Sequence, residues 1–272
     1  MAAPSVKSAD FWHKNAELLN LAGELSWNFP EQKSGSLAII GGNSSNFLTE
    51  VKVSEFVNLH FPFLKTVDNF FPDSLKSKLP SLGNLKFFES SESGSFRRSP
   101  DFRSSLDGYE FALLLGDFSK NSETALAAAE LLKFNPEVPT LLTRDAVDLL
   151  AEDAENFIER GNITLVASLV QLQKLFRAVY YPKMLLLSSP IFPIIETLHK
   201  FTLSYPVSIL TFHEGQVICA HGGKVLSVDI EKTSYSPITL WSGEVAAKIA
   251  IFKMFNPGKP LDALVAGLTY KS

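Results

Sequence analysis

The sequence predicts a three-layer α/β/α protein, in which helices cover both faces of a mainly parallel sheet and antiparallel hairpins follow near the C-terminus. Between residues 111 and 201, short aliphatic runs alternate with longer helix-compatible segments, the pattern of consecutive βαβ units. From residue 207, three short apolar runs are separated only by His-Glu-Gly and His-Gly-Gly, which favours hairpins. We expect a single domain over residues 1–272, because a chain of 272 residues with 46% hydrophobic content can bury one sizeable core.

The first predicted element is an amphipathic helix over Ala9–Leu25, whose apolar side chains fall roughly on one face. Together with a polar connection, this helix places residues 1–32 on the outside of the domain. Leu37–Ile40 is a short unbroken apolar run, as expected of a parallel strand that is buried on both faces.

A glycine turn, Gly41-Gly42-Asn43, follows this strand. Glycines at the carboxyl end of a parallel strand let a ligand approach the backbone, and the amides there can face a phosphate. The same residues also occur in tight turns that bind nothing, so both interpretations stay open. Gly41, Gly42 and Asn43 are therefore candidate substrate- or phosphate-binding residues.

Between this turn and residue 108 the pattern is less regular. A polar, serine-rich stretch predicts an exposed loop, where Arg97, Arg98 and Arg103 could meet an anion, although solvated charges on a mobile loop are the favoured interpretation. The predicted elements are helix Phe47–Leu59, strand Thr66–Phe70, short helix Asp73–Leu79 and loop Ser90–Gly108.

The alternating part supplies the rest of the sheet and its covering helices. The predicted strands are Phe111–Leu115, Thr140–Leu142, Ile163–Val166 and Met184–Leu187. The predicted helices are Glu123–Leu132, Ala146–Leu150, Leu169–Arg177 and Ile191–Phe201. The hairpin strands are Val207–Phe212, Gln216–Ala220 and Lys224–Asp229. One helix is predicted to end at Phe255, and a last helix is predicted over Leu261–Leu268. Ligands of such sheets bind beyond the carboxyl ends of the strands.

The stretch Ile238–Met254 carries the strongest candidate site. Its Ser242-Gly243-Glu244 turn leads directly into a helical pattern, and the unpaired amides at a helix N-terminus bind anions. A structural alternative is that Ser242 caps the helix and Glu244 is favoured by the helix dipole, with no catalysis. Trp241 could stack on an adenine or nicotinamide ring, or it could close an unused site.

Composition argues against several classes of partner. A net charge of -4 gives no general attraction to nucleic acid or to an anionic membrane, and we expect neither as a partner. The single cysteine, Cys219, cannot form an intramolecular disulfide, which suits the cytoplasm. The apolar runs are shorter than the ~18 to 20 residues that span a bilayer. The five histidines show no metal-ligand spacing, so no structural metal is predicted.

The order of βαβ units, hairpins and a glycine turn before a helix resembles the ribokinase-like fold. Several short motifs, from about Lys33 to Tyr270, are similar to those of the ADP/ATP-dependent NAD(P)H-hydrate dehydratases. They are Lys33-Ser34-Gly35, Ile39-Ile40-Gly41-Gly42-Asn43, Leu115-Gly116-Asp117-Phe118 with Glu123-Thr124, Leu142 to Leu150, and Trp241-Ser242-Gly243-Glu244.

The resemblance implies roles for individual residues. Glu244 stands where that family has the aspartate that manages the proton of an attacking hydroxyl, and Ser242 and Gly243 stand in its anion hole. Gly116 and Asp145 would contact phosphate or substrate; Asp145 could equally cap the helix after it. The implied cofactors are ADP or ATP with Mg²⁺, with NAD(P)H as substrate or product, and the implied partner is a second copy in a homo-oligomer.

Two segments depart from the family pattern. Val166 to Gln171 replaces Thr-Pro-His-Pro-Gly-Glu, and Thr211-Phe212 replaces Lys-Gly. Fold and reaction are inherited separately, so three functions are carried forward. They are NAD(P)H-hydrate dehydratase, small-molecule kinase of the same fold, and inactive nucleotide-binding or scaffolding protein.

Overall fold

A computed structural model describes residues 10–14, 20–79 and 84–271. In these residues, ten strands form one mixed sheet in the order β1-β10-β9-β8-β7-β6-β5-β2-β3-β4. The strands are β1 (Trp12–Lys14), β2 (Ser34–Gly41), β3 (Leu64–Pro72), β4 (Leu85–Phe88), β5 (Phe111–Gly116), β6 (Thr140–Thr143), β7 (Ile163–Val166), β8 (Ser208–His213), β9 (Gln216–His221) and β10 (Lys224–Asp229).

The central strands are parallel, from β4 at one side through β2 and β5 to β8. β9 then pairs antiparallel with both β8 and β10, which confirms the predicted hairpins. The run Leu37–Ile40 is fully buried. Helices cover both sides of this strand, which is why it reads as continuously apolar.

Two helical layers cover the sheet. The helices are α1 (Leu21–Ser26), α2 (Leu48–His60), α3 (Pro100–Arg103), α4 (Ser122–Phe134), α5 (Asp145–Leu150), α6 (Leu169–Ala178), α7 (Ile191–Ser204), α8 (Glu244–Phe255) and α9 (Pro260–Thr269). Side chains of α2, α8 and α9 pack on one face with Leu113, and those of α4 to α7 pack on the other with Leu114. The three-layer α/β/α architecture is confirmed.

The predicted strand Met184–Leu187 is wrong. No strand forms there, and Leu185 alone of the four residues is buried. β7 pairs directly with β8, so the sheet has no position for an extra strand between them. The segment instead belongs to the connection between α6 and α7.

The predicted helix Ala9–Leu25 is also wrong over its first described part. Trp12–Lys14 form β1, which pairs in parallel with the outer edge of β10, and the Trp12 indole donates a hydrogen bond of 3.1 Å to Ser227 Oγ. Only Leu21–Ser26 is α-helical, while residues 15–19 lie outside the described residues. An open strand edge supplies hydrogen bonds that local periodicity does not anticipate.

The predicted loop Ser90–Gly108 is more ordered than expected. It contains α3, and Phe96 and Phe102 stack in the core with ring centroids 4.6 Å apart. The Ser99 hydroxyl caps α3 by accepting from Phe102 N–H, with Pro100 in the first turn. Arg97 and Arg98 pair with Glu123 and Glu130 of α4, so this segment is anchored to the domain.

The strand β4, immediately before this segment, was not predicted.

Among the described residues, the structure contains no helix of the length and apolar character that crossing a membrane would require.

Candidate functional site

The candidate site lies where the strand order reverses. β3 lies on one side of β2 and β5 on the other, and such switch points at the carboxyl strand ends are where open α/β sheets bind ligands. Gly41 and Gly116 end β2 and β5 as register partners, and the Gly42 N–H donates to the Gly116 oxygen at 2.9 Å. A Cβ on Gly41 would lie 2.5 Å from that oxygen. Glycine is therefore required where the two strand ends meet.

The predicted glycine turn is held across this junction by Asn43. Its amide nitrogen donates to the Asp117 carbonyl at 2.6 Å, and its amide oxygen accepts from Ser45 N–H at 2.8 Å. Gly42 has φ +89°, in the left-handed region that glycine adopts without strain. The turn is thus hydrogen-bonded to the residues at the ends of β2 and β5. Its contact with a phosphate stays a prediction.

Asp145, directly after β6 and Arg144, joins this junction from the neighbouring strand. Its Oδ1 accepts the Asp117 N–H at 2.6 Å, and a Cβ on Gly116 would collide with the same oxygen. Burial raises the pKa of Asp145, against the lowering effect of the hydrogen bond from Asp117. The alternative role as helix cap is wrong, because Arg144 occupies the N-cap position of α5 and no side chain caps it.

Asp117 and Arg144 complete a charged network. The Arg144 guanidinium donates to Asp117 Oδ1, while Asp117 Oδ2 and Arg144 Nε have no partner among the described residues. Asp117 has φ +53° and Arg144 φ +55°, conformations that cost non-glycine residues on the order of 1 kcal/mol or more. Strained backbone at two charged residues is typical of functional sites.

Glu50, which the sequence analysis did not select, lies in the first turn of α2 against Gly41. Its side chain is 0% exposed, and neither carboxyl oxygen has a hydrogen-bond partner among the described residues. Burial raises the pKa of Glu50 well above its usual value, and the nearby Asp117 charge raises it further. The sequence could have indicated that Glu50 is buried, because it lies on the helix face that also carries Val53 and Val57.

The start of α8 lies beside the same junction. Gly243, with φ +97°, is the N-cap residue, and a Cβ on it would lie 2.8 Å from Val53 of α2 and 3.1 Å from Leu115 of β5. Ser242 therefore does not cap the helix, and within the described chain no side chain does. The first amides of a buried, uncapped helix are suited to an anion.

Glu244, the first residue of α8, acts on other groups than the buried carboxyls do. Its charge acts on Lys248 and Tyr235: burial lowers the pKa of Lys248 and Glu244 opposes this, while burial and Glu244 both raise the pKa of Tyr235. Asp145 and Glu50 instead interact with Asp117 and Arg144. The role of Glu244 as a base stays a prediction.

Trp241 is half-buried and packs at the margin of the core cluster that contains α8. Its predicted stacking on a ligand ring stays a prediction as well. The described residues contain no group of three or more His, Cys, Asp or Glu side chains arranged to hold a metal ion.

The site therefore has two chemically different ends. One is the α8 N-terminus with its unpaired amides; the other contains three carboxyl groups, from Glu50, Asp117 and Asp145, and one guanidinium. The ends are neighbours, because a Cβ on Gly243 would lie 3.5 Å from Thr49, next to Glu50 in the chain. Such an arrangement can hold an anion beside a neutral or positively charged group.

No family model and no curated protein matches the sequence. The fold is similar to a ribokinase-like superfamily protein of Enterococcus faecalis, with TM-score 0.66, 12% identity and coverage of 98% of this chain and 88% of that chain. It is similar to Bacillus subtilis YxkO of the UPF0031 family, with TM-score 0.56, 10% identity and coverage of 90% and 84%. An ADP/ATP-dependent NAD(P)H-hydrate dehydratase of Bacillus subtilis, co-crystallised with ATP and Mg²⁺, gives TM-score 0.53, 12% identity and the same two coverages. The predicted ribokinase-like fold is confirmed.

Proposed function

We propose that this protein is a nucleotide-dependent enzyme of the ribokinase-like fold, with ADP/ATP-dependent NAD(P)H-hydrate dehydratase as its first candidate reaction. The observation that carries the proposal is the uncapped, buried start of α8 beside the glycine pair Gly41 and Gly116. A dehydratase among the proteins of similar fold adds support for the reaction class.

The fit to a phosphate follows from the helix start. Gly243 has no Cβ, so the start of α8 packs closely on Val53 and Leu115. The first amides of α8, which no side chain of the described residues caps, lie at the positive end of the helix dipole and favour an anion there. ADP or ATP would supply the phosphoryl group, with Mg²⁺ held mainly by the phosphates. The α8 amides would stabilise charge at the transferring phosphate, and the Glu244 carboxylate would accept the proton of the attacking hydroxyl.

A direct assay tests this reaction. Purified protein with ADP or ATP and Mg²⁺ should restore the absorbance of NADH from its hydrate, and Glu244→Gln should abolish the restoration. Glu244→Asp should still show measurable turnover, because the carboxylate is kept. Its rate should differ from that of the native protein by up to ~100-fold, because the carboxylate moves by roughly 1 Å. If neither nucleotide raises the melting temperature at saturation, the nucleotide-dependent assignment is wrong.

A small-molecule kinase is the second candidate, and the acidic end of the site favours it. Three carboxyl groups facing one arginine disfavour a substrate with its own phosphates at this end and suit a neutral or cationic alcohol. Nucleotide-dependent stabilisation without hydrate repair, together with phosphoryl transfer to such an alcohol, would identify this reaction.

A further inference from the structure

Glu50 is the buried group that the proposed reactions leave unused. Its carboxyl lies against Gly41 at the end of β2, because a Cβ on Gly41 would collide both with Glu50 Oε1 and with the Gly116 carbonyl oxygen at the end of β5. Neither of its oxygens has a hydrogen-bond partner among the described residues, nor has Asp117 Oδ2. A buried polar group without a partner is destabilising, so these three oxygens, on two carboxyls close enough for the Asp117 charge to act on Glu50, are acceptors open to a ligand with N–H donors.

The charges that act on Glu50 come from the segments that follow β5 and β6. Asp117 follows β5, and Arg144 and Asp145 follow β6; the Arg144 guanidinium is already paired with Asp117 Oδ1. Lys120 acts on Asp145 rather than on Glu50. Glu50 therefore has two anionic neighbours and one cation shared with Asp117, which leaves a deficit of positive charge around it.

We propose that Glu50, Asp117 and Asp145 form a pocket for the ammonium group of a small amine substrate. An ammonium group has three N–H donors, which match the Glu50 oxygens and Asp117 Oδ2, and its charge balances the excess of carboxylates. The inference rests on the proposed function in one respect: it takes the second candidate, the small-molecule kinase, with this pocket as its substrate end. It names an amino alcohol as the substrate class.

Binding is coupled to a proton. Burial and the charge of Asp117 keep Glu50 protonated in the free protein to a higher pH than an exposed glutamate, whereas a bound cation favours its ionised form. The amine therefore displaces one proton from Glu50. Below the pKa of Glu50, the apparent dissociation constant falls up to tenfold for each unit that the pH rises.

The carboxyls are enclosed by the glycine turn, because the Asn43 side chain joins this turn to the Asp117 carbonyl at 2.6 Å and Asp117 is only 4% exposed.

The test uses ethanolammonium chloride as the probe, with the full chain and no nucleotide. Its affinity is followed by thermal shift and calorimetry from about pH 4.5, the ordinary pKa of a glutamate, to about pH 8, up to about 100 mM, against sodium chloride of equal ionic strength. Ethylene glycol lacks the charge, and O-phosphoethanolamine adds a phosphate. The expected result is binding of ethanolamine alone of the three, which strengthens as the pH rises.

Glu50→Gln keeps the size of the side chain and should abolish both the binding and its pH dependence. If Glu50→Gln does not fold, Asp145→Asn is tested in its place and should weaken binding. Glu55→Gln, on the exposed face of the same helix, is the matched control and should bind like the native protein. Equal binding by Glu50→Gln, no binding by the native protein, or the same shift from potassium or magnesium chloride would overturn the proposal.

The proposed function is scored separately with ATP and Mg²⁺. Stabilisation by nucleotide without amine binding refutes the amine pocket and leaves the nucleotide-dependent enzyme. Amine binding without any nucleotide effect supports the pocket and refutes the nucleotide-dependent assignment.

Discussion

Lys253 gives a prediction that can be worked out in detail. It lies in the last turn of α8, and its Nζ donates to Thr164 Oγ1 at 2.6 Å and to Ser208 Oγ at 2.7 Å. Both hydroxyl residues are 0% exposed, and Ser208 is also hydrogen-bonded to His221 at 3.0 Å. Burial lowers the pKa of Lys253 from 10.5 to about 7.

The unfolded chain therefore binds one more proton than the folded protein between about pH 7 and the ordinary lysine pKa of about 10.5, so stability rises with pH across that window. The full shift corresponds to about 3.5 pKa units at 1.36 kcal/mol each, or at most about 5 kcal/mol. Between about pH 7 and pH 9.5, the native protein should gain up to about 3 kcal/mol in unfolding free energy relative to Lys253→Met.

Urea denaturation of both proteins at several pH values measures this difference. Burial and then the charge of Lys253 lower the pKa of His221 below its ordinary value of 6.5, so the slope is read above about pH 7.5, where histidine titration no longer contributes. Lys224→Met, at an exposed lysine, is the control and should show no such trend. A pH-independent difference between the native protein and Lys253→Met would refute the burial of the ammonium group.

Three other changes have expected outcomes. Gly243→Ala should destabilise the protein by about 1–3 kcal/mol in urea denaturation and abolish stabilisation by ATP, because its φ is +97° and the added methyl would lie 2.8 Å from Val53; unchanged nucleotide binding would contradict the anion site. Glu50→Gln should become progressively more stable than the native protein as the pH rises above about 4.5. The raised pKa of Glu50 stabilises the native protein at low pH, and this stabilisation is lost as the pH rises through the pKa of Glu50 in the folded state. A difference in unfolding free energy that does not change with pH would contradict the burial of Glu50. Ser99→Ala should cost about 1 kcal/mol through loss of the α3 cap, and Ser93→Ala, in the same segment, is a comparison that leaves this cap intact.

The parallel core could be predicted because its physics is local. A strand that is covered on both faces needs an unbroken apolar run, as in Leu37–Ile40, and a hairpin needs a short turn between two runs. The bounds predicted for Ile163–Val166 agree with the structure for this reason.

The errors at Trp12–Lys14 and Met184–Leu187 have a different origin. Whether a short segment becomes a strand depends on an available sheet edge, and β10 offers one while β7 and β8 are already paired. Sequence periodicity carries no information about such distant edges. The cap of α3, by contrast, could have been predicted, because a serine followed by a proline is a common helix start, as in Ser99-Pro100.

In the candidate site, the glycine turn, Asp145 and the start of α8 could be located from the sequence because each follows a strand or precedes a helix. Asp117 also follows a predicted strand, but nothing local marks its carboxyl as buried, and Glu50 could not be located, because composition rules place carboxylates at the surface. A glutamate on the apolar face of a helix, directly after a glycine turn at a strand end, is the pattern that would have revealed Glu50.

This glutamate also bears on whether the site is a relic. A buried polar group without a partner costs roughly 1–3 kcal/mol, and the strained backbones of Asp117 and Arg144 add to that cost. An apolar side chain at position 50 would remove the first part, so a scaffold with no ligand has no physical use for Glu50. If Glu50→Leu stabilised the protein, and neither the native protein nor the variant bound a ligand or turned over a substrate, the inactive scaffold would be the correct function. Stabilisation accompanied by loss of binding would mean that the carboxyl is retained for its ligand.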